Sequence, residues 1–304
     1  MTKTAVARPR TAGREFFTVG HGNQTATWTT GRIEEWPARV DAASLWGMGD
    51  AVSLAKQEGF TSCYRGRQSS LHHAAYMRSA KVMLLLRLVR EEGICMVGKR
   101  IFDYGFGAGS FLRVCPRDAE LFGVEIDPVA VREIEGHLRA TGFEQVLLST
   151  LELDRWEEHP FLRGQYDLVL CSHVLEHLDN PVRLLSLLAG CLAPEGKLLV
   201  LLPLNERRMD PHHVHRICPG EVERWVKSAG LQTCRSLATD FALYWLQPCF
   251  AWKHPIGRLV AQAVSLGLGL AAKLIGEDRW MPFWDRLGPR LGFKPTQLAL
   301  VLSR

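Results

Sequence analysis

The sequence predicts an α/β protein with a doubly wound, mostly parallel sheet, and three observations carry that expectation. From residue 100 to about 204, apolar runs of strand length alternate with helical patterns. The run Lys197–Leu202 is almost wholly aliphatic, as expected of a strand covered by helices on both faces. A glycine-rich turn, Gly105-Phe106-Gly107-Ala108-Gly109, directly follows the first apolar run.

Taken in order, residues 1 to about 70 show no sustained period. A helix is expected from Leu71 to about Glu92, with Leu71, Met77, Leu84, Leu85 and Leu88 near helical spacing and Gly93 as its stop. Ile101–Tyr104 reads as a strand, followed by the glycine turn and a short helix. Leu121–Ile126 is a second strand. Asp127-Pro128 opens the next helix, with Asp as N-cap and Pro at a position whose missing N–H costs nothing; Gly142 ends it. Gln145–Ser149 and Tyr166–Cys171 are the third and fourth strands. Asn180-Pro181 repeats the cap-and-proline start before a helix over Val182–Leu192, and Lys197–Leu202 is the fifth strand. Pro219 starts a helix that Gly230 stops, and late strands are expected around Gln232–Leu246 and Gln297–Leu302. Between them lies an insertion over about 250–292, helical near Ile256–Ile275. The division that follows is an N-terminal extension with its helix over 1–97 and a main domain over 98–304.

Composition narrows the class. Hydrophobic residues make up 47% and charged residues 23% of 304 positions, enough apolar material for a large core and against global disorder. The eight cysteines are dispersed and form no C-x-x-C pair, which argues against a zinc ribbon, a c-type haem site or a disulfide scaffold and for a reduced cytoplasmic setting. The polar, basic N-terminus has no apolar core of a signal peptide. The apolar stretch Leu259–Ala272 is too short to span a bilayer. The net charge of +5 is placed at the ends, with +3 over residues 1–40, +5 over 251–304 and −3 between them. Nucleic acid is therefore not an expected partner, since such enzymes tend to carry a basic stripe through the working domain.

The glycine turn is specific in its spacing. Gly105, Gly107 and Gly109 are preceded by Asp103, and Ser110 occupies the position where a dinucleotide fingerprint wants its third glycine. A carboxylate before the first glycine repels a pyrophosphate and attracts an ammonium. Glu125 ends the second strand, where a carboxylate can accept two hydrogen bonds from a ribose diol.

The segments Ile101-Phe-Asp-Tyr-Gly-Phe-Gly-Ala-Gly-Ser, Gly123-Val-Glu-Ile-Asp-Pro and Tyr166-Asp-Leu-Val-Leu-Cys-Ser-His-Val-Leu-Glu-His-Leu together resemble the class I S-adenosylmethionine-dependent methyltransferases. Leu175-Glu176-His177 and the segment from His215 to Gly230 are similar to the ubiquinone-biosynthesis-type small-molecule branch. The resemblance covers roughly residues 98–246 and the last strand. It implies a Rossmann-like, seven-stranded sheet with its last strand antiparallel, and S-adenosyl-L-methionine as cofactor. It places Gly105, Phe106, Gly107 and Gly109 around the cofactor, with Asp103 near its ammonium. Glu125 would hold the ribose hydroxyls, Ile126 would pack against adenine, and Cys171 would offer its carbonyl to the ammonium with Ser172 beside it. The usual Asp after the third strand is replaced by Ser149-Thr150-Leu151-Glu152, so Thr150 and Leu151 are positional candidates at the adenine edge.

Methyl transfer from a sulfonium needs mainly placement and desolvation of the nucleophile, and a base only if a proton must leave. His173, His177 and His215 are the candidate bases; His177 also reads as a structural residue bonding a loop carbonyl. His212, His213 and His215 form an H-H-x-H cluster without the Cys or paired-carboxylate spacing of a metal site, so no metal is expected. The D/N-P-P-Y/F turn of DNA amino methylation is absent after the fourth strand, where Cys171-Ser172-His173-Val174 stands. So is the N-terminal cysteine-rich zinc module of sugar C-methyltransferases. The expectation is methyl transfer to O or N of a small, apolar or aromatic metabolite. A nicotinamide-dependent oxidoreductase and a cofactor-binding, non-catalytic partner protein are the alternatives. Phe250, Trp252, Trp280, Met281, Phe283 and Trp284, with Trp245 just before them, mark 250–292 as an expected substrate cover or a membrane or dimer face, with Lys253, Arg258, Lys273, Arg279, Arg286 and Arg290 as its basic side.

Overall fold

The computed structural model describes residues 76–206, 212–244 and 255–304. Expectations that fall on residues 1–75, and on Trp245, Phe250, Trp252 and Lys253, lie outside them. The strands are β1 (Arg100–Tyr104), β2 (Glu120–Glu125), β3 (Val146–Thr150), β4 (Tyr166–Ser172), β5 (Leu192–Pro203), β6 (Gln232–Thr239) and β7 (Gln297–Ser303). The helices are α1 (Tyr76–Glu91), α2 (Pro128–Ala140), α3 (Pro181–Gly190), α4 (Pro219–Ser228), α5 (Pro255–Ile275) and α6 (Glu277–Arg290). The seven strands run in the order β3-β2-β1-β4-β5-β7-β6, parallel except for β7, which is antiparallel to both neighbours.

Helices start and stop where the sequence chemistry directs. Asp127 accepts from the Val129 N–H at 2.9 Å, and Asn180 accepts from the Arg183 N–H at 3.2 Å, each ahead of a proline at the first helical position. Such caps are worth about 1 kcal/mol each. Gly142 and Gly230 end α2 and α4 at positive φ.

Four local expectations are corrected. The short helix after the glycine turn shrinks to a single 3-10 turn, Leu112–Val114, because Pro116 holds Cys115 extended at φ −65° and ψ 154°. β5 begins five residues before Lys197; Pro194-Glu195-Gly196 reads as a turn but lies in the strand beside an irregularity between Tyr166 and Leu168, where a Cβ on Gly196 would stand 2.7 Å from the Tyr166 carbonyl oxygen. β6 ends at Thr239 and not near Leu246, because Asp240 takes φ +61° and turns the chain. The insertion carries a second helix, α6, which Pro282 and Pro289 hid from the periodicity.

Two cores flank the sheet. On one face α1, α2, α5 and α6 bury Tyr76, Leu84, Leu88, Ile134, Leu138, Ala272, Trp280 and Met281 against Ile101, Leu168, Leu199 and Val301. On the other, α3 and α4 bury Leu184, Leu188, Val222 and Trp225 against Phe102, Val169 and Val200. Among the described residues no single helix is long and apolar enough to cross a membrane. The strand order reverses between β1 and β4, and the carboxyl ends of those two strands open a crevice there, the place where ligands of open α/β sheets bind.

Candidate active site

The crevice at the ends of β1 and β4 is a cavity lined by Asp103, Gly105, Phe106, Gly107, Glu125, Ile126, Leu151, Ser172, His173 and His177 from the expected set. Register explains the convergence, since Asp103 pairs with Gly123 on β2 and with Leu170 on β4, while Glu125 pairs with Thr150 on β3. The turn needs its glycines. Gly105, Gly107 and Gly109 all have positive φ (74°, 54° and 65°), and a Cβ on Gly105 would stand 2.6 Å from Val174 Cγ2.

Glu125 is 5% exposed, and its carboxylate is aimed by two backbone bonds. The Gly107 N–H donates to Oε2 at 2.7 Å and the Ile126 N–H to Oε1 at 2.9 Å. A carboxylate has about four acceptor positions, so it keeps lone pairs for a vicinal diol. Burial raises the Glu125 carboxyl above its ordinary value, against the opposing pull of the Gly107, Ile126 and Asp127 amides. Asp103 has no such amides on it, and burial followed by the Glu125 charge pushes it up to about 7. A buried carboxyl in that condition is relieved by a cation, and the aminoacyl ammonium of S-adenosylmethionine is one.

Four expected residues are not part of the cavity wall. Gly109 packs under the turn, where an added Cβ would meet Ile134 Cγ2 at 2.7 Å. Thr150 faces a separate polar cleft with Ser149, Glu152, Arg155 and His159. The Cys171 side chain is fully buried in the sheet, with its thiol raised well above the ordinary value by burial. His215 packs edge-on against Trp225 at 5.1 Å, away from the cavity.

Of the two histidines on the wall, His173 sits at φ +58° with both ring nitrogens close to side chains. Nε2 lies 2.8 Å from Gln297 Oε1 and Nδ1 lies 3.1 Å from Glu176 Oε1. Burial, then the charge of Lys81, holds its pKa below the usual imidazole value. His177 follows in the 3-10 turn Leu175–His177, with Nδ1 3.1 Å from the carbonyl of His212, a loop carbonyl as its structural reading expects. That turn is pinned to the loop after β5, since Val214 and His215 donate their N–H groups to the Glu176 carbonyl at 2.8 and 3.2 Å.

Several wall residues were not anticipated. Arg78, Lys81, Val82 and Leu85 come from α1, and Trp156, Val174 and Leu178 from the loops. The α1 signal was present, because positions 78, 81, 82 and 85 follow the i, i+3, i+4, i+7 spacing of one helix face. Conversely, no described residue of α5 or α6 lines the cavity. The expected cover is corrected here: Trp280 and Met281 are 3% and 1% exposed, and Trp280 Nε1 donates to the Tyr76 hydroxyl at 2.9 Å, so α6 is part of the core over α1.

A doubly wound sheet with this glycine turn, a carboxylate at the end of β2 and a buried Asp before the turn defines a class I S-adenosylmethionine-dependent methyltransferase. The chain belongs to the methyltransferase domain family, whose model matches residues 73–246. Among curated relatives, the ubiquinone biosynthesis O-methyltransferase of Dechloromonas aromatica (strain RCB) is 26% identical over 162 residues, 47% of this chain and 68% of that protein. That of Shewanella pealeana (strain ATCC 700345 / ANG-SQ1) is 34% identical over 154 residues, 48% of this chain and 60% of that protein. The matches span 44% to 73% of such relatives' own length. Two solved structures share the fold. One is a candidate sarcosine dimethylglycine methyltransferase from Galdieria sulphuraria (TM-score 0.51, 18% identity, 74% of this chain and 84% of that one). The other is coclaurine N-methyltransferase bound to N-methylheliamine and SAH (TM-score 0.50, 12% identity, 83% of this chain and 88% of that one). The chain is an enzyme, and its cofactor is S-adenosyl-L-methionine.

Proposed function

We propose that this enzyme methylates a hydroxyl oxygen of an apolar, aromatic small molecule. One observation carries the reading: a single cavity has Asp103 and Glu125 in its wall and, beside the polar groups of Arg78, Lys81, Ser172, His173 and His177, an apolar surface of Val82, Leu85, Trp156, Val174 and Leu178. The curated relatives, ubiquinone biosynthesis O-methyltransferases, support oxygen as the acceptor atom.

Bound S-adenosylmethionine would supply an electrophilic methyl: the C–S bond breaks with its electron pair staying on sulfur, the acceptor oxygen bonds to carbon, and the hydroxyl proton leaves to solvent. The residues do the rest. Asp103 and Glu125 hold the cofactor's ammonium and ribose, while Gly105 and Gly107 let the backbone approach it and Ile126 and Leu151 pack on its base. The apolar wall excludes water from the acceptor, which strengthens the polar contacts that orient it. His173 positions the loop through Glu176 and Gln297. His177 faces the acceptor. His215 has no part in the transfer. The working unit is the domain from 98 to 304, with α1 of the preceding segment as one wall.

The test is incubation with S-adenosylmethionine carrying a deuterated methyl and paired panels of aromatic alcohols and aromatic amines, read by mass spectrometry. Labelled ether from an apolar phenol supports the proposal; labelled amine alone, or no product despite binding of S-adenosylhomocysteine, overturns it.

A further inference from the structure

The insertion between β6 and β7 also has an outer side. Along α5, Leu259, Ala263, Leu266, Leu270 and Leu274 follow the spacing i, i+4, i+7, i+11, i+15 and fall on one stripe, opposite the buried Ala261, Ser265 and Ala272. Leu259, Leu270 and Leu274 are 68%, 60% and 79% exposed, and the exposed Val260 and Ile275 flank them. The stripe runs for about 22 Å along the helix axis. Monomeric proteins rarely leave so continuous an apolar strip in water. No Asp or Glu interrupts it, since α5 contains neither.

On α6, Arg279, Phe283, Arg286 and Arg290 repeat the i, i+4, i+7, i+11 spacing, and all four are exposed. They lie opposite Trp280, Met281 and Trp284. Both helices turn their buried sides into the core that holds α1, so the leucine stripe and the arginine row look outward from the same layer. Lys273 stands between Leu270 and Leu274 in sequence, is exposed, and carries positive charge onto α5. Among the described side chains of the two helices, Asp278 is the one exposed acid. Asp285 is engaged inward, holding Arg87 at 2.6 Å and accepting from the Thr239 hydroxyl. The two helices lie beyond residue 246, where the match to the methyltransferase family ends.

From the apolar stripe, the arginine row beside it and the scarcity of acid, we propose that α5 and α6 form an interfacial anchor that lies flat on a bilayer surface rich in anionic phospholipid. Leu259, Leu270, Leu274 and Phe283 enter the boundary between headgroups and acyl chains. Lys273, Arg279, Arg286 and Arg290 bury their alkyl stems there and keep their charges on the lipid phosphates. The three arginines of α6 suit a helix that rests on the bilayer, because sinking them into hydrocarbon is costly. A second copy of the chain fits this face less well. Its own α5 and α6 would offer the basic row no exposed acid among their described side chains except Asp278.

The experiment floats the full chain with vesicles of phosphatidylcholine alone, or with phosphatidylglycerol as about a third of the lipid. The expected result is binding at least about tenfold tighter to the anionic vesicles, falling as salt is raised. Leu270→Glu with Leu274→Glu should remove the binding, and Arg286→Gln with Arg290→Gln should weaken it by about tenfold or more. All four side chains are exposed, and unchanged binding of S-adenosylhomocysteine checks that each variant folds. If the glutamate variant fails that check, the arginine variant decides. Binding that survives the folded variants puts the contact elsewhere, the basic stretch 1–40 first, and overturns the proposal. Equal binding to both vesicles, or binding to neither, overturns it as well. Dimerisation in solution that the glutamate variant abolishes, without vesicle binding, would give this face to a second copy instead.

Discussion

The backbone N–H of Gly107 donates to Oε2 of Glu125 across 2.7 Å, tying the glycine turn after β1 to the end of β2. Those strands already run in register from Arg100↔Glu120 to Tyr104↔Val124, so the bond continues the ladder into the loop through a side chain. The carboxylate thus has two duties, holding the turn at φ +54° and presenting its remaining lone pairs to the ligand.

Glu125→Ala removes both. S-adenosylhomocysteine should bind about 10–100-fold more weakly, the effect of losing about 1.5–3 kcal/mol of charged hydrogen bonding. Calorimetric titration of both proteins checks this. An unchanged Kd would take Glu125 out of the cofactor site.

Asp103 gives the cofactor affinity a pH dependence with a definite sign. Its carboxyl, raised to about 7 by burial and then by Glu125, is largely protonated below that pH in the free enzyme. A bound ammonium favours the ionised form, so binding expels a proton there and no proton well above it. Affinity should therefore rise with pH, by up to about tenfold per unit, and level off above about 7. Asp103→Asn should flatten the profile and weaken binding on the alkaline side. Titrations in two buffers of different ionisation heat measure the released proton; equal heats below the carboxyl's pKa would contradict the assignment.

Gly105 is constrained twice, by φ +74° and by Val174 Cγ2, 2.6 Å from where a Cβ would sit. Gly105→Ala should cost about 1–3 kcal/mol of stability and shift the turn that lines the cofactor site. Adding Val174→Ala removes the contact but not the backbone strain, so the double variant should recover part of the loss in a urea titration. Full recovery would mean that φ contributes nothing at this position.

The parts of this molecule that were legible in the sequence are those whose cause is local. Asp127-Pro128 and Asn180-Pro181 announce their helices because the cap and the proline act within one turn. The glycine turn with Asp103 and Glu125 is legible because three sequence-adjacent elements build it. What escaped was set by long-range packing. Arg78 and Lys81 reach the cavity only because α1 lies over the ends of β1 and β4, and Glu176 meets His213 only through a loop 37 residues later in the chain. The aromatic residues of α6 suggested a substrate cover, since an apolar helix face looks the same in sequence whether it covers a ligand or another helix; Trp280 covers Tyr76. Asp240 could not be assigned from sequence either, because its side-chain partners, Tyr76 and Thr296, are more than fifty positions away.

Asp240 supports the last prediction. It is 1% exposed at φ +61°, accepts the Tyr76 hydroxyl at 3.1 Å on Oδ1, and has the Thr296 hydroxyl 3.3 Å from Oδ2. Burial pushes its carboxyl up to about 7 despite the lowering effect of Tyr76, Thr296 and the Leu243 amide. In the unfolded chain the same group titrates near about 3.9. Between those values the folded state keeps a proton that the unfolded state has released, so the stability from this residue is full at low pH and is lost as pH rises through that window. The loss is on the order of 1–4 kcal/mol. Asp240→Asn keeps the shape, tolerates the left-handed backbone and never ionises. The variant should therefore be more stable than the wild type above about pH 7 and should lose that advantage toward about pH 5. Urea unfolding of both proteins across that range at constant salt measures the difference, in which the parallel titration of Asp103 cancels. Profiles that stay parallel would show that Asp240 is ionised in the folded protein throughout, and the buried cluster of Tyr76, Asp240 and Thr296 would then have to hold a charge.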